Sequence, residues 1–133
     1  MGLSFQYADA SILFCIPEQG CDLNYLVERY TCFERIAVPT YEIMAGCLRR
    51  AVGAGVLMFP AGGLYRLTPE WYARVHRSDG KFSASDYAMI EFADELQSQE
   101  WAEVGVAEFE LSMLAYQSAA THTQQYLDRL FTP

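Results

Sequence analysis

Two sets of charged side chains in this chain have the types and spacing to do chemistry. The first is basic. Arg49 and Arg50 are adjacent on one predicted helix, and Arg66, Arg74 and Arg77 follow downstream. Neighbouring arginines on a helix can grip phosphates or read guanine in a major groove. The second set is acidic. Glu91, Asp94, Glu95, Glu100, Glu103, Glu108 and Glu110 are interleaved with Phe92, Trp101 and Phe109. Carboxylates around aromatic anchors suit a basic protein surface, because charge steers encounter and aromatic burial holds the complex.

Overall charge favours the second set. The chain has 133 residues, a formal net charge of -8 and 52% hydrophobic residues. That composition belongs to a folded globular chain, and the negative charge disfavours nonspecific attraction to nucleic acid or anionic lipid. The excess acid is also localised. Residues 1–80 carry seven Lys/Arg against eight Asp/Glu, whereas residues 81–133 carry two against nine.

Catalytic and metal-binding patterns find little footing. There is no nucleophile elbow, phosphate-binding glycine loop, HExxH or dinucleotide fingerprint. The string AVGAG ends a predicted helix instead of following a strand. Cys15, Cys21, Cys32 and Cys47 form no CxxC pair, and His76 and His122 are remote from them in sequence. They read as small apolar residues in a reduced, intracellular protein. A Cys47–His122 nucleophile pair has nothing in the sequence to assemble it. Asp94, Glu95, Glu100 and Glu103 read as a solvated acidic face in preference to an acid/base or metal cluster. No secretory signal or membrane-length apolar run is visible. The expectation is a cytoplasmic protein without cofactors or enzymatic activity.

The positioning elements follow from caps and periodicity. A first helix covers 8–16 and a second 21–35, with Asp22 as N-cap. Thr40 caps a third helix over 41–54, with Met44, Cys47, Leu48, Ala51 and Val52 as its apolar stripe and Gly55 as its stop. VLMF, the turn PAGG and LYRL read as a two-stranded hairpin. Thr68 and Pro69 start a fourth helix. After RSDGK, Ser83 and Asp86 resemble a capping box, and Met89, Phe92, Ala93 and Leu96 line a fifth helix. A last helix over 108–130 carries Phe109, Met113, Tyr116, Ala120, Thr123, Leu127 and Leu130 as one packing stripe.

The strings VPTYEIMAGCLRRAVGAGVL and GGLYRLTPEW resemble the winged helix-turn-helix superfamily, and more narrowly small bacterial proteins of that kind. The matching residues are Pro39, Thr40, Glu42, Gly46, Leu48, Arg49, Gly55, Tyr65, Arg66, Leu67, Thr68 and Pro69. The resemblance implies a mainly α (α+β) fold: a winged-helix domain over 1–80 with a two-stranded wing, and an acidic extension of two helices over 81–133. It covers roughly residues 8–76 and speaks to fold more than to activity.

A DNA reader of this kind would use Arg49, Arg50, Arg66, Arg74 and Arg77. Its third helix, however, offers no Asn or Gln, and the PAGG tip carries no cation. The leading expectation is therefore a non-enzymatic protein-binding chain, of which an immunity or antitoxin-like protein against a basic bacterial toxin is the most concrete form. Glu91, Asp94, Glu95, Glu100, Trp101, Glu103, Glu108 and Phe109 would meet the partner. A DNA-binding regulator is the alternative, and the chain is expected to be a monomer or a homodimer through the last helix.

Overall fold

A computed structural model describes residues 5–34, 37–75, 85–98 and 109–131. Six α-helices occupy these segments: α1 Tyr7–Phe14, α2 Leu23–Glu34, α3 Tyr41–Gly53, α4 Pro69–Val75, α5 Ser85–Ser98 and α6 Met113–Phe131. Their starts have local causes. The backbone N–H of Gln6 donates to the Asp9 carboxylate at 2.9 Å. Asp22 accepts from the N–H of Tyr25 at 2.7 Å, and Thr40 from that of Ile43 at 3.3 Å. Each cap satisfies a donor that the first helical turn leaves unpaired.

The expected two-stranded wing is not present. Among the described residues no strand forms, and the fold is mainly α. Residues 56–67 hold only isolated antiparallel bridges, Leu57 with Leu67 and Ala61 with Leu64. The two arms are joined by the Met58 N–H to the Arg66 carbonyl at 2.9 Å and the Thr68 N–H to the Val56 carbonyl at 3.0 Å, and this pairing does not extend into a strand. The N–H groups of Val56 and Leu57 donate to the carbonyl of Ala51 at the end of α3, at 2.9 and 3.1 Å. Tyr65 exchanges both its hydrogen bonds with Cys21, at 2.8 and 2.9 Å, in the connector between α1 and α2. Pro60 has no N–H to give. The segment is therefore a turn tied at its base to neighbouring elements, without a ladder of its own.

The last helix also starts later than its apolar periodicity suggests. Ser112 caps it, accepting from the N–H of Ala115 at 3.2 Å. Before that cap, Leu111 is buried, and Phe109 packs edge-on against Phe59 and Tyr65, with ring centroids 6.0 Å apart in both pairs. Tertiary packing takes Phe109 out of the helical stripe.

One apolar core joins the helices. Ile12, Leu13, Leu26, Val27, Met44, Leu48, Leu57, Leu67, Phe92 and Leu96 are almost completely buried within it. All five apolar stripe residues of α3 are buried. α5 packs on α1 and α4, and α6 on α2. Trp71 of α4 meets Phe92 of α5 edge-on at 6.2 Å. Tyr116, Ala119 and Thr123 bury one side of α6, whereas Met113 and Leu130, expected on the same stripe, are exposed. The middle of that stripe is thus spent within the chain, while Met113, Leu114, Leu130 and Phe131 stay exposed on α6.

Candidate protein-interaction surface

The two arginines at the centre of α3 have opposite fates. Arg50 turns inward. Its Nε donates to Asp9 Oδ2 at 2.9 Å and its Nη2 to Oδ1 at 2.7 Å. This is a bidentate fork onto α1, the strongest geometry available to the pair. The Asp9 side chain is 1% exposed and that of Arg50 26%. These hydrogen bonds to the Asp9 carboxylate also hold the guanidinium proton more tightly than usual. Gly46 leaves room for the guanidinium along the helix surface: a Cβ there would lie 3.0 Å from Arg50 Nη1, and the guanidinium would have to shift by a few tenths of an ångström to accept it.

Cys47 lies beneath this latch, fully buried, and its thiol donates to the Asp9 carbonyl at 3.7 Å. Burial first, and the Asp9 carboxylate second, push that thiol well above its ordinary pKa. It behaves as a packed apolar residue. His122 has a different neighbour, Glu28 of α2, at 3.8 Å, so the structure does not assemble a Cys47–His122 pair.

Arg49, one residue before Arg50, is exposed. The other described arginines of the basic set are committed. Arg66 donates from Nε to the carbonyl of Glu18 at 3.0 Å. Arg74 pairs with Glu70 at 2.9 Å and with Glu95 at 3.1 Å, and its guanidinium lies 4.6 Å from the centre of the Trp71 ring. Arg77 falls outside the described residues. At the N-terminal end of α3, which a recognition helix would offer to base edges, Glu42 and Ile43 are exposed and Tyr41 is engaged within the chain. The Tyr41 hydroxyl donates to the carbonyl of Leu111 at 2.6 Å, and its ring meets Tyr116 edge-on at 5.7 Å.

The acidic set is divided differently. Phe92, Ala93 and Leu96 point α5 into the core, which leaves Ile90, Glu91, Asp94 and Gln97 exposed on its outer side. Glu91 and Asp94, three residues apart, are neighbours on that face. Glu95 is drawn sideways to Arg74 and is half-buried. Phe109 is not an exposed anchor, because its ring is occupied by Phe59 and Tyr65. Glu100, Trp101, Glu103 and Glu108 lie outside the described residues. The structure therefore brings Glu91 and Asp94 together with Ile90 on one open face, and assigns Glu95 and Phe109 to internal contacts.

Asp9 and Gly46 are the residues that sequence reasoning missed. Their signals were present: an aspartate inside the apolar run ADASILF, and a glycine four residues before an arginine on a helix. A concavity of about 200 Å³ lies between α2 and α6 and is lined by Tyr25, Glu28, Arg29, Cys32 and Tyr126. All four cysteines are free thiols, and only Cys32 is exposed. Among the described residues no group of three or more metal-ligating side chains converges, and no helix is long and apolar enough to cross a membrane. No family model, curated protein or solved structure matches this chain, so its surfaces are interpreted from their own geometry.

Proposed function

We propose that this chain is a non-enzymatic binding protein whose partner is another protein with a basic surface. The observation that carries the proposal is the unequal use of charge. Arg50, Arg66 and Arg74 are engaged within the chain and leave Arg49 as the exposed member of the described basic set, while Glu91 and Asp94 face solvent beside Ile90 on α5. Exposed carboxylates around an apolar side chain give long-range steering toward cations and a small contact area to bury. The most concrete form is an immunity or antitoxin-like protein that covers the basic active site of a bacterial toxin. A cytoplasmic setting belongs to this proposal, and the four free thiols support a reducing compartment.

The test is co-expression with the products of neighbouring genes. A stable complex and protection from toxicity are expected, with both weakened by Glu91→Lys combined with Asp94→Lys. A sequence-specific duplex that binds the chain, and is lost on Arg49→Ala, would replace this proposal with a DNA-binding regulator.

A further inference from the structure

A second surface, on the opposite part of the sequence from α5, has a chemistry of its own. From Val56 to Tyr65 ten consecutive residues carry no charge. Within this stretch Met58 is 45% exposed, Phe59 58% and Leu64 45%. Such a cluster of exposed large apolar side chains on one short turn is costly in water unless something covers it. The turn is also held in place. Its base is tied by the paired hydrogen bonds of Tyr65 with Cys21 and by the Met58 N–H, which donates to the Arg66 carbonyl at 2.9 Å.

Acidic groups flank the turn on both sides. On one side, Phe109 packs on Phe59 and places the exposed Glu110 next in sequence. On the other, the connector between α1 and α2 presses against Leu64 and Arg66. Gly20, with φ of +87°, comes so close that a Cβ would meet the Tyr65 carbonyl at 2.9 Å and Leu64 at 3.0 Å. That connector carries the exposed Glu18 and Asp22 and forms a shallow hollow of about 250 Å³ with Pro17, Gln19 and Cys21. Arg66 is the one cation described here, and its Nε is tied to the Glu18 carbonyl. An apolar centre with a polar rim is the anatomy of a protein interface, and here the rim is acidic.

We infer that the 58–64 turn and the adjoining connector form a docking surface for a protein that presents an apolar cleft edged by Lys or Arg. This rests on the protein-binding function proposed above and gives that partner a second point of contact. The apolar turn fills the cleft, and Glu18, Asp22 and Glu110 meet the basic edge.

The test is titration of the isotope-labelled full chain with a synthetic peptide of alternating leucine and lysine, followed by amide chemical shifts. An alternating leucine–glutamate peptide of equal length is the control. Saturable shifts are expected at residues 18–22, 57–66 and 109–111 with the basic peptide only. Phe59→Ser combined with Leu64→Ser should weaken binding at least tenfold with helical circular dichroism unchanged. If that variant unfolds, Glu18→Lys combined with Glu110→Lys carries the same expectation. Shifts confined to α5 around Glu91 and Asp94 would overturn this surface and leave protein binding intact. No response to either peptide would overturn the surface, as would unchanged affinity in the folded variants. Shifts at the turn that grow with protein concentration alone would identify a second copy as the occupant, and would also overturn it.

Discussion

α3 and α5 each carry charged residues next to a buried apolar stripe, yet they use them in opposite ways. In α3 the charge is turned inward: Arg50 reaches across to a carboxylate that is 1% exposed and pins α1 against α3. In α5 the charge is turned outward, with Glu91 and Asp94 in solvent and Glu95 paired to Arg74. A buried charge that loses its partner keeps its full desolvation cost, whereas a solvated one loses almost nothing. The helix that looks from sequence like a reader of nucleic acid thus spends half of its arginine pair on architecture. The helix that looks like a plain amphipathic element keeps its charges available.

The largest effect expected from this contrast is at the latch. Arg50→Ala leaves the buried Asp9 without its cation, with the Gln6 N–H still donating to it, and should cost about 3 kcal/mol of stability in urea unfolding. Arg49→Ala, on the exposed neighbour, should stay within about 0.5 kcal/mol. Equal effects from the two would break the contrast within α3.

Gly46 sharpens the same point at a smaller scale. Replacing a glycine by alanine inside a helix ordinarily stabilises by roughly 0.5–1 kcal/mol. Here the new Cβ meets the Arg50 guanidinium at 3.0 Å, so Gly46→Ala should yield less than that or destabilise. In the Arg50→Ala background the ordinary gain should return. A double-mutant cycle measures the difference directly.

The thiol beneath the latch adds a pH dependence. Cys47 is pushed up in the folded chain by burial first, and Cys21, also by burial first, to about 12. An unfolded thiol ionises near ~8.5. Their contribution is therefore complete below that value and is lost as pH rises from it toward the folded values. The urea midpoint should fall between pH 8 and pH 10, and Cys47→Ala should flatten the fall. A midpoint that rises over this range would contradict the buried placement. At pH 7 a thiol reagent should label Cys32 first, since the other three thiols are buried.

The smallest effect on stability belongs to α5. Glu91→Ala and Asp94→Ala should each change the urea midpoint by no more than about 0.5 kcal/mol equivalent, because both side chains are exposed. A loss comparable with that at Arg50 would mean that the outer face of α5 is as structural as the inner face of α3.

Much of the helical framework is legible in the sequence because its causes are local. Asp22 and Thr40 cap the helices that follow them, and Pro69 opens α4 after Thr68. The α3 stripe follows from spacing alone. What is not legible depends on contacts across the chain. The Asp9–Arg50 pair spans 41 positions, and no local pattern connects its members. The hairpin pattern at 56–67 yields only isolated bridges, and the backbone bonds that tie this segment to Ala51 and Cys21 join elements that no local pattern connects. Phe109 satisfies the helical period of α6, and tertiary packing on Phe59 and Tyr65 overrides it. At the candidate site the acidic composition is readable. Which carboxylates face outward is not, since Arg74 selects Glu95 through geometry.

The central claim is that the outward acids, and not the arginines of α3, carry recognition. Its most direct measurement is the affinity of the chain for a co-expressed neighbouring-gene product, compared between Glu91→Lys with Asp94→Lys and Arg49→Ala. The acid reversal is predicted to weaken the complex at least tenfold while Arg49→Ala leaves it unchanged. Affinity that survives the acid reversal and disappears with Arg49→Ala would contradict the claim.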